Sequence, residues 1–393
     1  MLLGLDAAVR PMGLSSLSGL LESRRVILCV GCGGVGKTTV AAALGLAGAR
    51  RGKRVLTLTI DPAKRLANSL GLDHMTTEEQ EVDPAVLAGI GVRGKGSLTV
   101  MMLDTKRTFD DLVKRFASTE EARNRILNNR LYKYVSTNLA GTQDYMAMEK
   151  LLAMKEDPRF DIVVLDTPPT RNALDFLDAP DRLVEALDGP AIRWFIQAFD
   201  RSRKLSLNLV AQSVAVVLRG VSKLTGGGFL EQMAELITDL NDLFGGFRDR
   251  AARVSAAFRA EDVGYVMVTS PAPLAIREIA YFAERLSQHG MRSDGFVVNR
   301  VHAAPPLVPT APEIREAARR HAIPLDADGP ARILRAVDDE RALAERDAFH
   351  LEELERVRER IGAQASPLVR VKSLPSDVHD VRALTGISDV LCP

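Results

Sequence analysis

The sequence predicts an α/β chain: a mainly parallel sheet covered by helices on both faces, interrupted by one long all-helical insert. Three observations carry this expectation. Short β-branched apolar runs recur along the chain, helical patterns separate them, and residues 181–260 hold helical patterns without a convincing strand.

"RRVILCV" (24–30) is short, apolar and β-branched, as buried parallel strands are. A Gly-rich loop follows at 31–36, and "KTTVAAALGLAGARRG" then reads as an Ala- and Leu-rich helix closed by Gly52. "KRVLTLTID" (53–61) completes a β–loop–α–β unit. "LTVMMLD" (98–104) is strand-like, and 105–155 is mostly helical in pattern. "FDIVVLDTPPT" (160–170) is a very apolar strand that ends in Asp and a rigid Pro-Pro. "VGYVMVTSP" (263–271) and "SDGFVVNRV" (293–301) are two further strands, joined by the helix "PLAIREIAYFAERLSQHG". "SPLVRVKSLP" (366–375) is the last strand. The expected organisation is a leader (1–23), a first core segment (24–180), the helical insert (181–260) and a second core segment (261–393).

Within the insert, Val214, Val217, Leu218 and Val221 fall at helical spacing, as do Met233, Leu236, Ile237 and Leu240, with Leu243 and Phe244 continuing that face. Trp194, Phe195, Ala198 and Phe199 form another stripe, and "TGGG" (225–228) and "GG" (245–246) mark joints. Two readings stand for these stripes: packing against one another and the sheet, or an apolar groove that holds a client. The Arg- and Glu-rich helical stretch 312–362 has the charge spacing of a solvated face.

Composition bounds the function. The 393 residues suffice for one large domain or two medium ones, with 46% hydrophobic and 26% charged residues. A net charge of +1, from 52 basic and 51 acidic residues, argues against a bulk electrostatic grip on nucleic acid. Aromatics at 5% argue against a base-stacking platform. Three cysteines, Cys29, Cys32 and Cys392, make no disulfide framework and fit a reducing cytoplasm. Cys29 and Cys32 form a lone C-x-x-C without further ligands at finger-like spacing, which disfavours zinc. "LSSLSGLLE" reads as a short leading helix; Asp6, Arg10 and Pro11 make the N-terminus unlike a signal peptide. No apolar run is long enough to span a bilayer.

The chemistry lies in the first unit. Gly31-x-x-x-x-Gly36-Lys37-Thr38 is a complete phosphate-loop pattern, set after a strand and before a helix. Its glycines let backbone N–H groups converge on phosphate oxygens, and the helix N-terminus adds its positive end. Gly33, Gly34, Val35, Gly36, Lys37, Thr38 and Thr39 are therefore the candidate ATP-binding residues. Lys37 should reach the β- and γ-phosphates, and the Thr38 hydroxyl should ligate Mg²⁺. Asp166, closing "IVVLD", suits a Mg²⁺ partner, or more plainly a cap for the next segment. Asp61, in "TIDPAKRL", suits a carboxylate that orients the attacking water, or an N-cap ahead of Pro62; the two roles are compatible.

These residues carry a resemblance. "GCGGVGKTT" resembles the deviant P-loop G-K-G-G-V-G-K-T, and "TIDPAKRLANSLG" resembles switch I of the arsenical-pump and tail-anchored-protein-targeting ATPases. "DIVVLDTPPTRNALDFLDAP" resembles their switch II. "GFVVNRV" resembles the strand whose Asn, here Asn299, contacts adenine, and "SLPSDVHDVRAL" the loop closing over the base, around Pro375 and Asp377. The chain thus resembles an ArsA-like, or anion-transporting, ATPase. The resemblance implies a P-loop NTPase of the dimeric deviant-Walker type, using ATP and Mg²⁺, with the insert placed where that family binds its client.

The departures narrow this. The metal-binding cysteine cluster of the arsenical pump has no counterpart, and the only C-x-x-C overlaps the P-loop, so neither arsenite transport nor a zinc-stapled dimer is expected. Lys64 stands where switch I usually has His. "GTQDYMAMEKL" (141–151) resembles a stretch of bacterial members, some of which occur as pairs in which one partner lacks the first P-loop Lys. Position 32 is Cys where the family has that Lys, which reaches across the dimer to the opposite phosphates. The resemblance therefore implies a heterodimer with a Lys-bearing relative, or a slowly hydrolysing homodimer. Three functional readings follow: a dimeric ATP-driven switch for a protein client or membrane partner, a low-activity nucleotide-binding subunit, and a partitioning or division-site ATPase. Peripheral membrane contact is compatible with the first. The third is disfavoured by the long insert, the neutral charge and a C-terminus without a basic amphipathic helix.

Overall fold

The computed structural model describes residues 16–60, 66–67, 70, 72, 76–130, 132–133, 136, 142–167, 178–182, 184–185, 236, 249–374, 377–378 and 380–393. Among these an eight-stranded sheet has the order β3-β4-β2-β5-β1-β6-β7-β8. The strands are β1 (Val26–Val30), β2 (Arg54–Thr59), β3 (Gln80–Glu81), β4 (Ser97–Met102), β5 (Ile162–Asp166), β6 (Val263–Thr269), β7 (Gly295–Val301) and β8 (Leu368–Lys372). β5 pairs in parallel with both β1 and β2, and β7 with both β6 and β8; the short β3 pairs antiparallel with β4. The expected mainly parallel α/β sheet is thus observed.

The central strands are buried along their whole length, as unbroken runs such as "VILCV" and "IVVLD" require when helices cover both faces. The described helices are α1 (Ser18–Ser23), α2 (Lys37–Arg50), α3 (Pro84–Gly89), α4 (Thr105–Phe116), α5 (Glu120–Asn128), α6 (Thr142–Glu156), α7 (Pro273–Gln288), α8 (Ala311–Arg320), α9 (Gly329–Arg360) and α10 (Val381–Leu391). Ala- and Leu-rich α2 is buried from Val40 to Ala49, so it acts as a core helix; its small side chains allow close approach to the sheet. Leu17 and Leu21 from the leader join the same core, and the Leu17 N–H donates to the Leu391 carbonyl of α10 at 2.9 Å.

The chain divides into two compact units, Met1–Met101 with Arg159–Thr170 and Gly264–Pro393, and Met102–Pro158 with Arg171–Val263. In the first, strand ends are tied by Arg54, whose Nε and Nη2 grip both oxygens of Asp161 at 3.1 and 2.7 Å. Also in the first, α9 has no buried residue between 331 and 346, whereas Asp347 and Arg358 farther along it are buried, so only part of the charged stretch 312–362 has the solvated face its spacing implied.

In the second unit, helix 249–258 is fastened to α6 by a buried ion pair. Arg250 Nε donates to Glu149 Oε2 at 2.7 Å, and the Tyr145 hydroxyl donates to the other oxygen. Arg250 also lies over the Phe116 ring, 4.9 Å from its centroid. The stripes at 194–199, 214–221 and 233–244 fall outside the described residues except for Leu236, which is buried.

Candidate functional site

The site forms where β1, β2 and β5 end level with one another. The parallel register pairs Asp166 of β5 with Cys29 of β1 on one side and Thr59 of β2 on the other. The chain leaves β1 at Gly31, hard against β6: a Cβ there would lie 2.0 Å from the Val268 carbonyl oxygen. The loop enters α2 through Gly36, whose φ of 95° is a left-handed conformation that side chains disfavour. No side chain caps α2. Its first-turn amides, Lys37 to Thr39, are the donors that an anion at a helix N-terminus uses. Gly33 and Gly34 are exposed at the loop crest, whereas Val35 is buried beneath it.

Lys37 is nearly buried, and its Nζ donates to the Cys32 carbonyl oxygen at 3.0 Å, which curls the ammonium over the loop. Thr38 Oγ1 donates to Asp166 Oδ2 at 2.7 Å, and Thr59 Oγ1 donates to the same oxygen at 3.1 Å. Asp166 is 1% exposed, and next to it the Thr167 hydroxyl donates to the Cys29 carbonyl at 2.8 Å. A hydroxyl and a carboxylate in direct contact are the hard oxygen donors that Mg²⁺ takes, usually completed by phosphate and water. Thr38 and Asp166 therefore fit the ion. Among the described residues no group of three or more His, Cys, Asp or Glu is placed to hold a metal ion.

Cys32 is 9% exposed, and its thiol is hydrogen-bonded to Glu278 of α7. Burial raises its pKa, the Glu278 charge raises it further, and Lys37 pulls the other way. Burial likewise pushes the Cys29 thiol far up, with the Asp166 charge adding to it against Lys37. Burial thus favours the neutral thiol at both cysteines.

Lys37, Thr38 and Asp166 are brought together by the fold. Asn299 reaches the loop from β7, and Asp377 is exposed in the segment after β8. Asp61 and Pro375 lie outside the described residues; β2 ends two positions before Asp61, beside Asp166. Thr59 and Glu278 were not singled out by sequence. Thr59 had a signal, a polar residue at the end of an apolar strand that must line up with "IVVLD"; Glu278 had none, being one charge on an amphipathic helix.

The sequence profile of the anion-transporting ATPase family matches residues 24–309. The chain is similar to ATPase GET3 of Malassezia globosa, 22% identical over 294 residues, covering 74% of this chain and 77% of that one. It is also similar to ATPase GET3C of Arabidopsis thaliana, 26% identical, with 72% and 68% covered. A third relative, ATPase get3 of Pyrenophora tritici-repentis, is 23% identical, with 76% and 79% covered. Among the described residues no helix is long and apolar enough to cross a membrane.

Proposed function

This chain is an ATPase that belongs to the anion-transporting ATPase family, and we propose that it works as a Mg²⁺-dependent dimeric switch whose nucleotide state governs a protein client or membrane partner. The observation that carries the reading is the 2.7 Å contact between Thr38 and Asp166 at the mouth of a complete phosphate loop.

The roles in this reading are those that the phosphate-loop pattern and the family resemblance imply. The amides of residues 33–39 bind the α- and β-phosphates, and Lys37 leaves the Cys32 carbonyl for the β- and γ-phosphate oxygens. Thr38 and Asp166 would hold Mg²⁺, which would supply positive charge to offset that of the phosphates. Asp61 orients the attacking water, and Asn299, Pro375 and Asp377 contact the adenine, as the resemblance implies. The segment 181–260, whose sequence holds the apolar stripes, carries the client. The ATPase acts in the cytoplasm and touches membranes only peripherally. A closed dimer and an open one would differ in how far those stripes are exposed, and ATP would bias the two by binding one better.

Cys32 favours a more specific assembly, a heterodimer with a Lys-bearing relative. A thiol held neutral and tied to Glu278 supplies no cation to an opposite subunit. In such a pair this chain's own site receives the partner's Lys, and the partner's site faces Cys32 and is the slower one. Cationic groups supplied in trans accelerate phosphoryl transfer by roughly 10³–10⁵ elsewhere. ATP turnover of a Cys32→Lys chain, measured in the assembly purified from native cells, is expected to rise about twofold, because the partner's slow site gains the cation that this chain's own site already receives. Unchanged turnover would remove this account of position 32.

A further inference from the structure

The P-loop is held from outside its own β–α unit. Asn299 Nδ2 donates to the Val35 carbonyl oxygen at 2.9 Å, from a strand two places along the sheet from β1. Gly36 leaves room for it, since a Cβ there would lie 2.2 Å from Asn299 Nδ2. The strand is shaped for this contact. Its pairing with β8 slips between Val298 and Val301, and Arg300 in that slip has a φ of 61°. A bulge of this kind re-aims the neighbouring side chain, and a left-handed Arg is strained, a cost that its surroundings must offset. Two contacts do so. Asn299 Oδ1 accepts from the Arg300 N–H at 3.0 Å, locking the kink. Beyond it, the His302 N–H donates to Asp347 Oδ2 on α9 at 2.9 Å, with the His302 ring Nδ1 2.8 Å from the same oxygen. Asp347 is 1% exposed, so the anchor is a buried one.

We propose that Asn299 is a positioning residue for the phosphate loop: the bulge in β7 aims its amide at the Val35 carbonyl and fixes the backbone that cradles the phosphates. The proposal rests on the ATP-site reading above and adds to it. An amide has a second N–H and a second oxygen lone pair, so a contact with the base remains compatible with this tie. What distinguishes the two roles is the part of the nucleotide each one serves.

The test uses the full chain and its Asn299→Ala variant, with melting curves to check folding. Binding of ATP and of tripolyphosphate, which has no base, is measured with Mg²⁺ present. The tie predicts that both ligands weaken by a similar factor, about three- to tenfold, as expected for one backbone hydrogen bond. Weakening of ATP with unchanged tripolyphosphate binding would overturn it, leaving only a base contact. A ligand-free readout separates this from failure of the nucleotide reading itself. Amide hydrogen exchange across residues 33–40 should quicken several-fold in the variant. Unchanged exchange overturns the tie, and a wild-type chain that binds neither ligand overturns the reading beneath it.

Discussion

Two carboxylates in this chain, Asp166 and Glu149, are each 1% exposed, yet they are held in opposite ways. Glu149 in the second unit meets the Arg250 guanidinium and the Tyr145 phenol. Burial still raises its pKa above the ordinary carboxylate value, with Tyr145 and then Arg250 opposing. Asp166 in the first unit accepts hydrogen bonds from the Thr38 and Thr59 hydroxyls, where β1, β2 and β5 end. A guanidinium partner spends the carboxylate on holding two helices together. Hydroxyl partners hold the carboxylate in place and leave it able to share an oxygen with a metal ion. Burial alone does not tell a structural acid from a functional one; the chemistry of its partners does.

The largest expected effect breaks the structural side. Arg250→Ala leaves Glu149 buried with its main counter-charge gone, and should destabilise the chain by about 3–5 kcal/mol in urea unfolding. Converting both partners together, Glu149→Leu with Arg250→Met, should recover most of that loss, because an apolar pair needs no compensation. A single variant no less stable than wild type would erase the contrast between the two acids.

A smaller effect comes from a third carboxylate, half-exposed at the start of β5. Hydrogen bonds from Arg54 pull Asp161 down from its ordinary 3.8 to about 2. Its folded pKa is depressed, so its stabilisation is present above pH 3.8 and is lost as the pH falls through about 2. Asp161→Asn should therefore lower stability slightly at neutral pH and flatten the acid limb between those values. Stability-versus-pH curves of the two proteins that stay parallel there would show that the pair contributes nothing. The side chains are 43% and 36% exposed, so solvent screening keeps the effect modest.

Much of this architecture was legible in the sequence, for identifiable reasons. Strands such as "VILCV" and "IVVLD" are apolar on both faces, and only a covered parallel sheet accommodates that. The loop of Gly31 to Thr38 was legible because phosphate binding constrains backbone and side chains together. β3 was not, because Gln80 and Glu81 have no apolar pattern and owe their pairing to β4. Thr59 became part of the site only through register, and the Asn299 tie only through a bulge, which leaves no periodic trace in "GFVVNRV". Glu278 beside Cys32 and Arg250 beside Glu149 come from segments more than a hundred residues away in the chain, a separation no local pattern bridges.

The central claim is that Asp166 serves a metal at the nucleotide, and one measurement addresses it directly: ATP affinity with and without Mg²⁺ for the wild-type chain and Asp166→Asn. The variant keeps the shape of the residue and an oxygen for the Thr38 and Thr59 hydroxyls, so its folding stability should fall by only about 1 kcal/mol. The account predicts that Mg²⁺ tightens ATP binding to the wild-type chain, and that this gain is lost in Asp166→Asn while metal-free affinity is retained. An equal gain from Mg²⁺ in both proteins would contradict it.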